Sequence, residues 1–510
     1  MIALSRVLQS RMITPIVENP FWRLVIIPVV AIGLLLWNPF HPDFSGGQTI
    51  TAKYLAGERP YLDIIENNPP MTFYMHLPSA YLESITGLRG EYWQYVIAIL
   101  LCLGVVGLGE WLRTGHAVPQ DTDSAKRVGI FLITLLIMPS TSFASRDQLT
   151  FVLMWPLLAL YAEDVIKPRT HRAWVDAGIG VLAGLGVCIK FYFFFGPVLA
   201  CLYLCHLKRS VRPLFGLENI CAVVVCLAYL ASIRLWHPAY LDLIYPMLKY
   251  TYFAGHPTVL YVLANGLLIG STFYLVMELA KDSPRLDDPR TKLLLIAALG
   301  LSICYFAFAR NLPFRYLPPA SCIFMALAAA QTHGERSLPI KFYELLFLAL
   351  CLWFMQISNP YRAEATQFGR SLNLERPKVL LLSGDLGDGQ PLIRDLGGTL
   401  VNPGLHPWVT LGLAISMEDP TTYEEQLQFS RWIEWERHLT AQAVERNPPD
   451  LILIEPYKLV NWLAWAHMND RLGKVLDQYK QVGTADKLIF LIKKTPEELA
   501  EQALRPPLID

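Results

Sequence analysis

Long apolar runs alternate with short polar stretches over residues 1–358. About eleven of these runs approach the 20 residues that a helix needs to cross the hydrocarbon layer. They lie near residues 21–40, 92–112, 128–145, 149–166, 174–190, 191–207, 218–236, 258–280, 293–309, 314–331 and 342–358. The pattern predicts a polytopic α-helical membrane protein with about eleven transmembrane helices.

Two apolar segments, the first run and residues 71–87, need separate interpretation. Arg6 and Arg11 precede the first run, as in a signal peptide, but the run is long enough to span and no small-residue cleavage site follows it. It is therefore predicted to remain as the first helix. Residues 71–87 are interrupted by Pro78 and contain His76 and Glu83. They are predicted to form an interfacial helix.

Basic residues gather in alternate loops, and the loops richer in Lys and Arg are expected to stay in the cytoplasm. The richer set comprises Arg6, Arg11, Arg113, Lys126, Arg127, Lys167, Arg169, Arg172, Lys208, Arg209, Arg212, Lys281, Arg285, Arg290, Lys292, Arg336 and Lys341. The opposite set holds Lys53, Arg59, Arg89, Arg146, Lys249, Arg310 and Arg315, with Lys190 at the border. A cytoplasmic N-terminus is predicted, with the loop 41–90 and the C-terminal segment outside.

The segment 359–510 changes character, because short β-type runs alternate with helical patterns. Strands are predicted at Val379–Ser383, Leu451–Glu455 and Lys487–Ile492, and helices at Tyr423–Arg446 and Val460–Tyr479. This alternation predicts a small extracytoplasmic α/β domain after a transmembrane domain of residues 1–358. The stretch SGDLGDG after the first strand matches no nucleotide-binding pattern and is interpreted as a strand–loop–helix junction.

The composition agrees with a membrane protein and narrows the functions. Apolar side chains make up 53% of the chain and charged ones 17%, and the net charge is zero. No global positive field therefore favours nucleic acid as a partner. The nine cysteines all fall within apolar spans, which predicts neither a disulfide framework nor a zinc site.

The loop 41–90 carries the candidate catalytic carboxylates Asp43, Asp63 and Glu66. Each could act as a general base just outside the hydrocarbon. The Gly46-Gly47 pair predicts a sharp turn into a short helix, and Asn68-Pro69-Pro70 predicts a rigid return toward the membrane. A solvated connecting loop is the alternative interpretation.

Two further groups of polar residues are predicted at the same face of the membrane. Arg146 and Asp147 occupy a turn of a few residues between two spans, where they could bind an acceptor or simply cap a helix. Lys190, Arg310 and Arg315 are cations beside aromatic residues, which suits a lipid phosphate held at headgroup level. Snorkelling from helix ends is the alternative for these cations.

The order of these motifs resembles a known family. GERPYLDIIENNPP follows the first helix, SRDQ forms the short turn, GVLAGLGVCIKFY contains Lys190, and FRYLPP comes late in the series. This order is similar to that of the GT-C superfamily of membrane glycosyltransferases, which use polyprenyl-phosphate sugars. The nearest branch contains bacterial protein mannosyltransferases and the lipid A aminoarabinose transferase. The resemblance implies an enzyme of the bacterial inner or plasma membrane.

The resemblance also implies residue roles. Asp43 takes the place of the catalytic acid/base residue, but Phe44 stands where many members have Glu, which keeps Asp63 and Glu66 as substitutes. Asp147 matches acidic residues that bind acceptor or metal in some members, so a divalent cation stays open as a cofactor. Donor-phosphate ligands implied in this way are Lys190, Arg310, Arg315 and Tyr316.

The function that follows is inverting transfer of a sugar from a polyprenyl-phosphate donor to an envelope glycan, lipid or protein. A flippase for a lipid-linked saccharide is a second hypothesis. This function would predict an internal repeat in the sequence and ionisable residues at mid-membrane. A glycan polymerase or ligase that uses a lipid diphosphate is a third. A non-catalytic envelope assembly protein is a fourth.

Overall fold

The computed structural model describes residues 23–169, 171–251, 288–308, 315, 317–330, 362–418, 421–456 and 459–504. The chain contacts divide these residues into two compact units. The membrane unit contains the described parts of 23–39, 92–232 and 288–330. The loop-and-sheet unit contains 40–91, 233–251 and the described parts of 362–504.

The first two thirds of the described chain are helical. The α-helices in chain order are α1 (Arg23–Trp37), α2 (Pro42–Leu55), α3 (Met71–Thr86), α4 (Gly90–Thr114), α5 (Thr122–Leu132), α6 (Arg146–Asp164), α7 (Ala173–Ile189), α8 (Phe195–Lys208), α9 (Leu217–Trp236), α10 (Tyr245–Thr251), α11 (Pro289–Phe308) and α12 (Leu317–Ala330). Short π-helical turns cover Ile133–Ile137 and Tyr240–Ile244, and 3₁₀ turns cover Ser140–Ser142, Phe191–Phe194 and Arg212–Phe215.

The C-terminal part alternates strands and helices. In chain order it forms α13 (Ala363–Ser371), β1 (Lys378–Leu382), α14 (Leu386–Gly389), α15 (Leu392–Asp395), β2 (Thr399–Leu400), α16 (Trp408–Ser416), α17 (Tyr423–Arg446), β3 (Leu451–Ile454), α18 (Trp462–His467), α19 (Asp470–Leu476), β4 (Tyr479–Ala485), β5 (Leu488–Lys493) and α20 (Pro496–Leu504).

Within the described residues, three helical stretches are long and apolar enough to cross a membrane, namely Gly90–Thr114, Phe191–Lys208 and Leu217–Trp236. The number is four if α1 and α2 count as one broken span. The other described helices at predicted spans are shorter or more polar, for example at 128–145, where α5 gives way to a π turn and then a 3₁₀ turn. The figure of eleven spans is therefore unconfirmed. Runs 258–280 and 342–358 lie outside the described residues.

Helix α6 forms the centre of the membrane unit. Every residue from Asp147 to Asp164 is buried, and α7, α8, α11 and α12 pack around it. A helix that is buried on all sides needs no polar face, which explains its apolar sequence. Helix α9 is the opposite case, since Val223, Val224, Leu227 and Leu230 are exposed. Exposed aliphatic side chains on a spanning helix suit contact with lipid.

Charged residues from several connections meet at one end of the membrane unit. These connections belong to the loops rich in Lys and Arg, which are predicted to lie on one side of the membrane. The ion pairs are Arg127–Glu110 at 2.6 Å, Arg169–Glu218 at 2.7 Å, Lys208–Asp164 at 3.7 Å and Arg290–Glu163 at 3.7 Å. Within the described residues, the loops predicted to share a face of the membrane therefore lie together. That this face is cytoplasmic remains a prediction.

The sheet of the loop-and-sheet unit has the strand order β2-β1-β3-β5-β4. Strands β2, β1 and β3 are parallel, whereas β5 runs antiparallel to both β3 and β4. The carboxyl ends of β1 and β3 therefore meet at one edge. The predicted positions of β1, β3 and β5 are confirmed to within one residue. Helix α17 begins and ends where predicted, and a capping box formed by Thr422 and Glu425 fixes its start.

Two predictions for the C-terminal segment are wrong in detail. The single helix predicted over Val460–Tyr479 is two short helices, because Asn469 caps a new helix by accepting from Arg471 N and Leu472 N. The chain then enters β4, which the sequence pattern did not indicate. The domain boundary at residue 358 falls outside the described residues and stays a prediction.

The first loop, residues 41–90, packs against the sheet within one unit. Arg394 bonds Glu91 at 2.6 Å and Glu83 at 2.8 Å, and Arg89 bonds Asp395 at 2.6 Å. Three of these side chains are mostly buried. Water therefore screens the attraction between the charges less than it does in surface pairs. The predicted outer loop and the predicted C-terminal domain therefore form a common structure.

The role predicted for Gly46-Gly47 is wrong. Helix α2 starts earlier, at Pro42, and the two glycines lie inside it. A Cβ on Gly46 would lie 2.7 Å from Leu405 Cδ1, and one on Gly47 would overlap the His76 imidazole. The glycines therefore allow close helix packing rather than a turn. The end of α2 before Gly57, and the helix at 71–87, agree with the predictions.

Candidate active site

Asp43 lies in the first turn of α2. His41 is the N-cap residue, with an extended backbone, and its Nδ1 accepts a hydrogen bond from Asp43 N at 3.2 Å. A carboxylate in this position is stabilised by the helix dipole. The chain is thus extended only up to His41, and Asp43 itself belongs to a helix instead of a free loop.

Asp63 is held by a neighbouring guanidinium. Arg59 donates from Nε to Asp63 Oδ2 at 2.8 Å and from Nη2 to Oδ1 at 3.1 Å, and its backbone N donates to Oδ2 at 3.0 Å. These hydrogen bonds hold the pKa of Asp63 below its usual value. Both carboxylate oxygens accept hydrogen bonds from Arg59, and these bonds stabilise the turn 59–63.

Glu66 is buried and stabilises the Asn68-Pro69-Pro70 segment at the end of the loop. Its Oε1 accepts a hydrogen bond from Asn68 N at 2.9 Å, and Asn68 Nδ2 also contacts it. Tyr61, fully buried, donates from its hydroxyl to Asn68 O at 2.8 Å. The residues predicted as a rigid return are therefore fixed by side chains of the same loop.

The carboxyl edge of the sheet holds a polar cluster whose chemistry the sequence did not reveal. Ser383, directly after β1, places its Oγ 2.6 Å from Asp388 Oδ2 and 2.9 Å from Glu455 Oε2. Arg362 donates to Asp388 Oδ1 at 2.5 Å. Burial raises the pKa of Asp388 to about 6. The only sequence signal was the SGDLGDG stretch, interpreted as a junction because it fits no nucleotide motif.

A cleft of about 390 Å³ lies beside the carboxyl half of α2 and is lined also by β2 and α17. Lys53 lies in its wall, with Nζ 2.7 Å from Asn402 O and 3.5 Å from Glu58 Oε2. Burial lowers the pKa of Lys53. Arg446 and Asp63 also line the cleft. A cleft of this volume and mixed charge can hold a small polar ligand.

The membrane unit brings Asp147 and Lys190 together, which the sequence did not predict. Asp147 Oδ2 lies 3.6 Å from Lys190 Nζ, and both residues are buried. Lys190 lies between α7 and a 3₁₀ turn, and its Nζ is 5.4 Å from the centre of the Tyr192 ring. Arg146 is the first residue of α6, which is capped by Ser145. Asp147 thus forms an ion pair with Lys190 that joins the ends of two helices.

Arg315 belongs to the same unit and is 1% exposed. A guanidinium so fully removed from water is costly unless polar partners surround it, so its burial favours a site over snorkelling. Arg310 and Tyr316, the other predicted phosphate ligands, lie outside the described residues.

The described residues hold no group of three or more His, Cys, Asp or Glu side chains placed to bind a metal ion. The suggested divalent cation at Asp147 thus has no protein cage in the described parts of the chain.

Comparison with known proteins identifies the class of fold. No family model matches the sequence, and no curated protein matches it. Solved structures show that the chain shares the fold of ArnT over nearly its full length. Its long apolar helices agree with a membrane protein.

The particular likeness is to ArnT from Cupriavidus metallidurans. In the apo state the TM-score is 0.54 at 13% identity, over 92% of this chain and 97% of that one. ArnT bound to undecaprenyl phosphate gives 0.54 at 14% identity, over 93% and 98%. Arabinofuranosyltransferase AftD from Mycobacteria gives 0.44 at 12% identity, over 93% of this chain and 40% of AftD.

Proposed function

We propose that this protein is an inverting glycosyltransferase that moves a sugar from a polyprenyl-phosphate carrier to an envelope acceptor. The likeness to ArnT over nearly the full length of both chains, in a structure that contains undecaprenyl phosphate, carries the proposal. A lipid phosphate would be the leaving group. The acceptor would be a glycan, lipid or protein on the outer face of the membrane.

Lys190 and Arg315 are proposed to bind the phosphate of the carrier. Both cations are buried in the membrane unit, where low polarity strengthens their attraction for a phosphate. Guanidinium binds phosphate in a bidentate manner, and Lys adds a point charge. As the bond from the sugar to the phosphate breaks, the electron pair leaves with the phosphate, and the cations stabilise that charge.

Asp43 is the proposed general base. Its carboxylate takes the proton of the acceptor hydroxyl as the oxygen attacks the anomeric carbon on the face opposite the phosphate. Asp63 is held by Arg59 and Glu66 by Asn68, which gives both carboxylates a structural role in the loop. The position of Asp43 in the first turn of α2 fixes its backbone.

The test compares the envelope glycans, lipids and glycoproteins of a deletion strain with those of strains carrying the wild type or Asp43→Asn. Mass spectrometry should show a sugar-bearing product that is lost on deletion, restored by the wild type and absent with Asp43→Asn at equal protein level. A product that Asp43→Asn restores in full would contradict the assigned base. A deletion strain with an unchanged set of sugar-bearing products would contradict the transferase.

A further inference from the structure

The cleft of about 390 Å³ beside α2 is a second place where the loop-and-sheet unit can hold a ligand, and we call it the α2 cleft. Its walls come from the carboxyl half of α2, the turn 58–63, the segment 394–403 and the end of α17. All of these segments belong to the same compact unit. The volume lies in the range of about 300–1,000 Å³ that small-molecule sites commonly have.

The α2 cleft lies away from the proposed general base. Lys53 lines the cleft and lies in the last turn of α2, whereas Asp43 lies in the first turn. Lys53 follows Asp43 by ten positions. At a rise of about 1.5 Å per residue, this separates their backbones by about 15 Å along the helix axis. The cleft is therefore separate from the carboxylate assigned to the reaction, although an extended acceptor could reach both.

Among the described residues, four cations and two carboxylates line the α2 cleft. Both carboxylates have a cationic partner, since Arg59 Nε lies 2.8 Å from Asp63 Oδ2 and Lys53 Nζ lies 3.5 Å from Glu58 Oε2. Hydrogen bonds from Arg59 and, to a smaller extent, the charge of Arg446 lower the pKa of Asp63. The carboxylates of the lining therefore do not neutralise all of its cations.

The excess positive charge comes from Lys378 and Arg446. Both residues are exposed, and neither forms an ion pair with another described residue. Arg394 is different, because Glu83 and Glu91 hold its guanidinium from outside the lining of the cleft. Lys378 at the start of β1 and Arg446 at the end of α17 thus give the cleft two cations that can bind an anion.

Lys53 adds a mostly buried cation to the wall of the cleft. An ammonium group has three N–H donors. Two of them have acceptors among the described residues, Asn402 O at 2.7 Å and Glu58 Oε2 at 3.5 Å. A bound anion would accept the third and offset part of the cost of burying this charge.

Neutral polar residues line the cleft beside the cations, namely Thr49, Thr399, Gln442 and Asn447. Hydroxyl and amide groups both donate and accept hydrogen bonds, as the hydroxyls of a sugar require. The cations in turn suit a phosphate or a carboxylate. This combination fits a saccharide with an anionic group better than a neutral saccharide or an apolar ligand.

We propose that the α2 cleft binds the anionic group of a saccharide, with Lys53, Lys378 and Arg446 as its cationic ligands. The anion is a phosphate or a carboxylate. It belongs either to the part of the acceptor remote from the reacting hydroxyl or to a free sugar phosphate. Binding in the cleft does not depend on the proposed function, whereas the assignment to the acceptor rests on it.

The experiment uses the full-length protein in lipid nanodiscs. Saturation-transfer NMR measures the Kd of glucose 6-phosphate, with glucuronate as the carboxylate probe and glucose as the neutral one. The cleft variant carries Lys378→Gln and Arg446→Gln. The matched control carries Arg431→Gln and Lys474→Gln, which remove the same charge at exposed positions outside the lining of the cleft. Thermal unfolding reports whether each variant keeps its fold.

We expect the wild type to bind glucose 6-phosphate and glucuronate at least about tenfold more tightly than glucose. The cleft variant should bind both anions about tenfold or more weakly than the wild type, and the control should match the wild type. Equal binding of glucose and glucose 6-phosphate by the wild type would overturn the inference. Equal binding of glucose 6-phosphate by the wild type and the folded cleft variant would also overturn it. The first comparison needs no variant, so it decides the matter even if the cleft variant misfolds.

Kinetics with the acceptor that the envelope analysis identifies distinguish the two sources of the anion. A rise of about tenfold in the acceptor KM of the cleft variant would assign the site to the acceptor. An unchanged acceptor KM beside weakened binding of glucose 6-phosphate would assign it to a free sugar phosphate. The proposed function fails separately, when Asp43→Asn remains fully active, and that result leaves the binding measurement as it is.

Discussion

Lys190 Nζ lies 3.6 Å from Asp147 Oδ2, and neither side chain has more than 8% of its surface exposed. At this distance and depth the two charges partly compensate each other's burial. A lipid phosphate that approached Lys190 would therefore compete with Asp147. If Lys190 binds the phosphate as proposed, this pair positions the lysine before the carrier binds.

Lys190→Met should lower kcat/KM for the lipid donor by about tenfold or more, because a charged hydrogen bond to phosphate contributes about 1.5–3 kcal/mol. Lys208→Met is the matched control, since Lys208 pairs with Asp164 at the other charged end of the membrane unit. The control should keep its donor kinetics. Equal kinetics of Lys190→Met and the wild type, with the protein folded, would show that Lys190 does not bind the donor.

Single substitutions of the three carboxylates of the first loop should have different effects on kcat. Asp43→Asn should lower kcat by about 10²–10⁴-fold, as expected on loss of a general base. Asp63→Asn should stay within about threefold of the wild type, because its pair with Arg59 is exposed and screened by water. Glu66→Gln keeps an oxygen for Asn68 and should also remain active. Inactive Asp63→Asn beside active Asp43→Asn would move the base within the same loop.

Gly47→Ala should destabilise the loop-and-sheet unit by about 1–3 kcal/mol, because the added methyl overlaps the His76 ring. The control Gly104→Ala adds a methyl where nothing lies within 4 Å. It should be neutral or slightly stabilising, since alanine favours a helix interior. Proteolysis of the first loop during mild denaturation measures the difference. Equal protection of both variants would contradict the close packing of α2.

The sheet edge should respond to pH through Asp388. Its pKa of about 6 lies above the value of about 4 for an unfolded aspartate, so the folded state binds the proton more tightly. This contribution to stability is present below pH 4 and is lost as the pH rises through about 6. Asp388→Asn should therefore slow hydrogen exchange of the β1 amides at pH 7 and reduce its pH dependence between 4 and 6. An unchanged profile would contradict this protonation.

The orientation can be tested with fusions. A reporter that is active only outside the cytoplasm should be active after residue 358 and inactive after Arg209 or Lys281, as the positive-inside rule requires. The reverse result would place the first loop in the cytoplasm and contradict the proposed reaction.

Sequence reasoning succeeded where local chemistry decides the structure. Helix α17 carries its own capping box, and β1 and β3 are short apolar runs between polar turns, so their positions were predictable. It failed where distant contacts decide. A glycine pair signals either a turn or a close approach, and only the presence of His76 and Leu405 selects the second.

The same limit applies to the candidate site. Asp147 and Lys190 were each suspected, but nothing in the pattern indicates that they pair.

The bond between Lys53 Nζ and Asn402 O joins residues 349 positions apart. The loop-and-sheet unit is assembled from three separate chain segments, and the segment that carries the sheet is synthesised after the other two. Contacts this distant in sequence form late. During synthesis, α2 can therefore contact the sheet only after the helices of the membrane unit have been made. A chain released before residue 402 would carry every predicted site residue and still lack the surface that shapes the first loop.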